Sequence, residues 1–156
     1  MKMTNVKEPP TTFIVKKEIL VNAKPSIVWD ALTDPEKTQQ YFFHCKVYSD
    51  WTVGSHITFK GRIFLVKKIQ LSGTILRIIP EKLLHYNLKN NLSSGMSIVS
   101  IELNEDGGKT LIRISDDVGR EAGAESRFKR SVKGWEKVLK GLKALVEKEQ
   151  AADMKP

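Results

Sequence analysis

Arg77 and Asp116 are the charged side chains whose positions carry the most chemical interest. Arg77 alternates with Ile75 and Ile79 in an extended run, and Asp116 continues the apolar series Thr110, Ile112, Ile114, so each would share a face with its apolar neighbours. A charge removed from water must be paired or change its protonation state, so an Arg77–Asp116 pair inside the fold would anchor a polar group on a buried ligand. The plainer reading puts Asp116 at a strand end in solvent and Arg77 on the outer face. It is favoured here because element ends are the part of a pattern that sequence locates least well. Asp116 and Asp117 do not make a catalytic dyad, since neighbouring strand residues point to opposite faces.

The three histidines suggest acid–base or metal chemistry, and each has a simpler explanation. His56 alternates with Thr58 and Lys60 on the polar side of its strand. His44 adjoins Cys45, but no second pair of ligands at metal-site spacing follows, and adjacent strand side chains diverge, so neither zinc nor a Cys–His nucleophile is expected. His85 lies opposite in phase to Leu84, Tyr86 and Leu88, and the pattern leaves open which of those faces is concave. No Ser-His-Asp order or glycine-rich phosphate loop can be assembled, so catalytic residues, metal and cofactor are all expected to be none. Aromatic side chains are the other candidates, because ligand pockets are mostly apolar with few polar groups. Trp29 and Phe59 read first as core, and Trp135 and Tyr86 as core or pocket wall. The full set of cavity candidates is Trp51, Phe59, Phe64, Arg77, His85, Tyr86, Asp116, Phe128, Trp135 and Leu139.

Positioning these residues requires a packed domain, and the composition provides for one. A length of 156 residues, with 40% apolar and 28% charged, suits one globular domain and excludes collagen-like or disordered classes. Net charge +8 favours acidic partners without naming one. The basic residues are scattered, without the dense run or aromatic motif of a nucleic-acid binder. No apolar run reads as a signal peptide or membrane span. The single Cys45 excludes an internal disulfide and suits a reducing compartment, so cytoplasm is expected.

Periodicity then gives the elements. Residues 1–11 read as a flexible leader, 12–149 as one domain and 150–156 as a disordered tail. Phe13, Val15, Ile19 and Val21 share one side of a first strand, with Lys17 the exception. Pro25 opens a short helix, and Thr33 with Glu36 is spaced as a capping box for a second. From Cys45 to Asp117 the pattern is antiparallel strands separated by turns. In the last hairpin, Leu103 is expected to face Thr110, Ile101 to face Ile112 and Val99 to face Ile114, all six on one face. Gly73 is the expected bulge or bend. A helix over about 121–149, about 40 Å long, carries an apolar stripe of Phe128, Val132, Trp135, Leu139, Leu142 and Val146. Gly134 and Gly141 inside it call for close packing or space for a ligand.

These segments resemble the SRPBCC or START-like helix-grip superfamily, in the branch of the activator of heat shock protein 90 ATPase homologue. The carriers are VNAKPSIVWDALTDPEKTQQYF at 21–42, SDWTVGSHITFKG at 49–61, SGTILRIIPEKLLHYNL at 72–88, and the helix with Gly134-Trp135 and Leu139 to Leu142; the likeness covers 13–147. It implies an α+β fold: a curved antiparallel sheet of six or seven strands, two short helices after the first, and a long C-terminal helix over the concave face with a cavity beneath. The family usually has Trp where Tyr41 stands. The eukaryotic co-chaperone also uses an N-terminal domain that these 156 residues do not accommodate, so the likeness implies fold and cavity rather than ATPase stimulation.

The leading expectation is a non-enzymatic domain binding a small hydrophobic or amphipathic ligand. The alternatives are a stress-response module that docks a chaperone or other acidic protein through its basic surface, and a cyclase- or hydrolase-type enzyme using the cavity. The chain is expected to be a monomer or homodimer that neither binds nucleic acid nor inserts in a membrane.

Overall fold

The segments that alternate with period two pair into one sheet, and the segment of period near 3.6 lies across it. The computed structural model describes residues 13–63, 67–90 and 95–155. The expected leader and the candidate Phe64 fall outside the described residues. In chain order the elements are β1 (Ile14–Val21), α1 (Pro25–Thr33), α2 (Pro35–Tyr41), β2 (Lys46–Ser49), β3 (His56–Ile63), β4 (Lys67–Ile79), β5 (Leu83–Asn90), β6 (Met96–Asp106), β7 (Lys109–Asp117) and α3 (Ala124–Asp153). The curved sheet has the order β1-β7-β6-β5-β4-β3-β2, with every neighbouring pair antiparallel.

One face of this sheet is apolar because inward positions alternate with outward ones. Val15, Val21, Ile57, Phe59, Ile75, Leu84, Tyr86, Ile101, Leu103, Ile112 and Ile114 are buried there beneath Trp135, Val138, Leu139, Leu142 and Val146 of α3. Lys17, the exception in the first strand, is explained at the rim: its ammonium lies 3.0 Å from Glu136 of α3. α3 begins and ends a few residues later than expected, so Gln150 to Asp153, assigned from sequence to the tail, are helical. Its two interior glycines permit close approach. A Cβ at Gly141 would lie 2.9 Å from Tyr41 Cβ, and one at Gly134 would lie 3.2 Å from the Phe43 ring.

Three local expectations are corrected. The cap of α2 is Asp34, whose carboxylate accepts from Glu36 N–H at 2.9 Å, while the Thr33 hydroxyl donates back to Trp29 O. In the last hairpin the same six residues are buried, but the register differs by two. Leu103 faces Ile112, Ile101 faces Ile114 and Val99 faces Asp116, because Gly107 and Gly108, both at positive φ, close a two-residue turn between Asp106 and Lys109. The register shift in β4 falls at Leu76, between Ile75 and Arg77, rather than at Gly73. Gly73 serves another purpose: a Cβ there would lie 1.7 Å from the Asn87 carbonyl oxygen of β5.

Because that obstacle is backbone in the middle of the sheet, Gly73→Ala is expected to cost about 2–3 kcal/mol by overpacking. Urea unfolding should show a lowered midpoint with an unchanged slope.

Candidate functional site

The space between α3 and the sheet is unevenly filled. Towards its centre, Tyr41, Phe42, Phe59, Leu139 and Leu142 close in until a void of about 20 Å³ remains. The Phe42 and Phe59 rings meet at a tilt of 39° with centroids 4.6 Å apart, and Phe59 lies 6.2 Å from Tyr86. Towards the start of α3 the same space widens into a cavity of about 220 Å³, bounded by Phe42, Phe43, Leu71, Tyr86, Leu88, Val99, Trp135 and Val138, with Asp116, Ser131 and Arg130 as its polar wall.

The polar wall follows from strand register. Val15, Asp116, Val99, Tyr86 and Ile75 form one row across β1, β7, β6, β5 and β4. With strands about 4.8 Å apart, Asp116 and Tyr86 stand about 10 Å apart at the backbone and face the same side, with Val99 between them. Asp116 is 5% exposed although it sits near the end of its strand. Its Oδ2 accepts from Ser131 Oγ at 2.6 Å and from Trp135 Nε1 at 3.0 Å. Those two donors come from one face of α3, one turn apart. Oδ1 is buried with no hydrogen-bond partner among the described residues. Asp117 points the other way and accepts from Gly119 N–H.

Arg127 also lines the cavity, but its guanidinium is occupied by backbone. It donates to Ala122 O at 2.8 Å and Val118 O at 3.1 Å, and a Cβ at Gly95 would lie 2.6 Å from it. It therefore pins the connection from β7 to α3, which sets the cavity's outer edge. Arg130 is exposed and forms no ion pair among the described residues.

Of the sequence candidates, the structure brings Tyr86, Asp116 and Trp135 together at the cavity and puts Phe59 and Leu139 at the small central void. It does not bring Arg77 and Asp116 together. The bulge at Leu76 reverses the alternation beyond Ile75, so Arg77 is exposed and pairs across from His85, itself on the outer side of β5. Trp51 packs against the edge of the core, and Phe128 packs on Phe13 at 5.9 Å, neither lining the cavity. His44 and His56 are exposed, and no group of three His, Cys, Asp or Glu could hold a metal among the described residues. Sequence reasoning missed Ser131 and Arg130. The available signal for Ser131 was a polar residue four positions before Trp135 on the buried side of the helix.

Burial leaves its mark on the titratable groups here. The Tyr86 phenol is pushed well up by burial and then by the Asp116 charge, and the Tyr41 phenol by burial and then by Tyr86. Tyr41 donates to Ala31 O at 2.8 Å, whereas Tyr86 has no hydrogen-bond partner among the described residues. The Cys45 thiol, fully buried, is pushed up to about 11 by burial, so it is a poor nucleophile.

A curved seven-stranded antiparallel sheet holding one long helix, with a cavity at one end of the grip, defines a helix-grip domain. The profile of the family described as Activator of Hsp90 ATPase homolog 1-like protein matches residues 22–147, and the chain belongs to that family. Among solved structures it is similar to protein CV1439 from Chromobacterium violaceum, at 25% identity and TM-score 0.72, over 86% of this chain and 97% of that one. It is also similar to ChR145 from Cytophaga hutchinsonii, at 28% identity and TM-score 0.69, over 87% and 94%. CalU16 from Micromonospora echinospora shares the fold at 24% identity and TM-score 0.66, over 85% and 72%. No functionally curated protein matches the chain significantly. Among the described residues, no helix is long and apolar enough to cross a membrane.

The raised phenols and thiol yield a pH prediction. Each is held neutral in the fold but ionises near its ordinary value, 9.0 for Cys45 and 10.0 for Tyr41 and Tyr86, once unfolded. Their contribution is therefore complete below about pH 9 and lost progressively as pH rises. In a Tyr48→Phe variant, whose remaining tyrosines are Tyr41 and Tyr86, phenolate absorbance should appear only together with unfolding.

Proposed function

We propose that the chain is a small-molecule-binding domain, acting without chemistry of its own, whose ligand occupies the cavity between α3 and the β5–β7 region of the sheet. The observation that carries this reading is a space of about 220 Å³, walled by aromatic and aliphatic side chains, with a buried carboxylate in its lining. An apolar cavity of about 150 Å³ takes a benzene-sized guest, and drug-sized ligands need about 300 Å³ or more. The volume therefore suits a single ring or a short chain bearing one polar group. Asp116 and the Tyr86 hydroxyl supply the orienting contacts, in place of the Arg77 and His85 expected from sequence. The buried, unreactive Cys45 suits a cytoplasmic location.

Benzyl alcohol and indole, titrated into labelled protein, should shift the amide resonances of Val99, Ser131 and Trp135. Val99→Phe, which fills the cavity floor, should weaken both by about tenfold or more while the remaining spectrum stays dispersed. Undiminished binding to a folded Val99→Phe protein would move the site elsewhere.

A second reading, docking of an acidic protein surface such as a chaperone's, is favoured by one feature of α3. Arg130, Lys133, Lys137 and Lys140 follow one another at steps of three and four on its exposed side, and none is within ion-pair distance of a carboxylate among the described residues. Exposed charges are screened beyond about 8 Å at physiological ionic strength. A partner held this way should be lost at moderate salt and by Lys133→Glu with Lys137→Glu. Retention of the partner under both conditions would discard the reading.

A further inference from the structure

Asp116 is a buried carboxylate with no ion-pair partner among the described residues. Its Oδ2 is held by two neutral donors, Ser131 and Trp135, and its Oδ1 has no partner among the described residues. None of the ion pairs among those residues includes it. Neither basic side chain on the same cavity pairs with it: Arg127 donates to backbone carbonyls and lies 3.5 Å from Glu121, and Arg130 is exposed. A charge in such surroundings is costly unless paired, and two neutral hydrogen bonds to one oxygen do not neutralise it. A buried carboxylate oxygen without a partner favours a positive group bearing a donor, and the cavity is where one can enter.

The rest of the lining fits the same chemistry. Trp135, which donates its indole N–H to Asp116, stands with Phe42 at a centroid distance of 6.3 Å. Aromatic faces beside a carboxylate attract a cation through their quadrupole. An anionic ligand group placed next to Asp116 would be repelled. A neutral hydroxyl, or a water, could donate to Oδ1 but would leave the charge in place.

Resting on the cavity reading above, we propose that the ligand is a protonated amine on an apolar, ring-sized body. Its ammonium donates to Asp116 Oδ1, and its body lies over Val99 against Phe42 and Trp135. A matched series tests the class: phenethylamine, its neutral analogue phenethyl alcohol, and the anionic hydrocinnamate, each titrated by calorimetry with amide shifts as the site readout. The amine should bind about tenfold or more tighter than the alcohol, the ratio expected of one added charge-assisted contact. Asp116→Asn should bring the two within about twofold of each other, and the ratio of amine to alcohol on the unmodified protein decides the class whether or not that variant folds. Equal binding of amine and alcohol to the unmodified protein would overturn the amine class and leave the cavity reading standing. So would tightest binding of hydrocinnamate, which would assign the site to Arg130. If none of the three perturbs Val99, Ser131 or Trp135, both readings fall together.

Discussion

Asp116 fastens the end of β7 to α3 through a single carboxylate oxygen that accepts from both Ser131 and Trp135. Much of the site's geometry depends on that contact. The two donors lie one helical turn apart, so they fix both the rotation of α3 about its axis and its height above the sheet. The carboxylate in turn can be there only because the two-residue turn at Gly107-Gly108 sets β7 in the register that points Thr110, Ile112, Ile114 and Asp116 to the concave side. A register differing by one residue would turn the acid outwards and the polar residues of β7 inwards.

The same helix is held at two different distances from what lies beneath it. At Gly141 it closes onto Tyr41, and the aromatic cluster of Phe42, Phe59 and Tyr86 fills the centre almost completely. Near its start, the connection from β7 is pinned by Arg127, and the helix and sheet diverge enough to leave a cavity. A grip that is tight in the middle and open at one end combines a packed core, which carries stability, with a void that carries recognition.

Charge is distributed in the opposite sense inside and out. The chain has a net charge of +8, and a run of cations without ion-pair partners among the described residues follows the exposed side of α3. The cavity, by contrast, has at its wall a carboxylate with no ion-pair partner among the described residues, and a phenol held neutral partly by that carboxylate. The outer excess is solvated and screened, so it bears on encounter with other molecules, whereas the inner charge is poorly screened and bears on what is retained.

Patterns of period two and 3.6 were sufficient to read the antiparallel sheet, the two short helices opened by prolines, the long helix with its apolar stripe, and the burial of Leu103, Ile101, Val99, Thr110, Ile112 and Ile114. Those features depend on which residues are apolar and how far apart they stand, and sequence states both directly. The site was legible only in part: Tyr86, Asp116 and Trp135 stood out by type, but the strand pattern left the face of His85 open, and the Arg77–Asp116 pairing weighed from sequence rested on an alternation that breaks at Leu76. A bulge adds one residue and reverses every side chain after it, and no residue type marks Leu76 as the place. The pairing of Asp116 with Ser131 and Trp135 joins segments 15 and 19 residues apart through the register of one hairpin and the rotation of one helix. Each residue's own pattern fixes which face it occupies; which residue meets it across the core is decided by how the elements pack, and that only the tertiary structure determines.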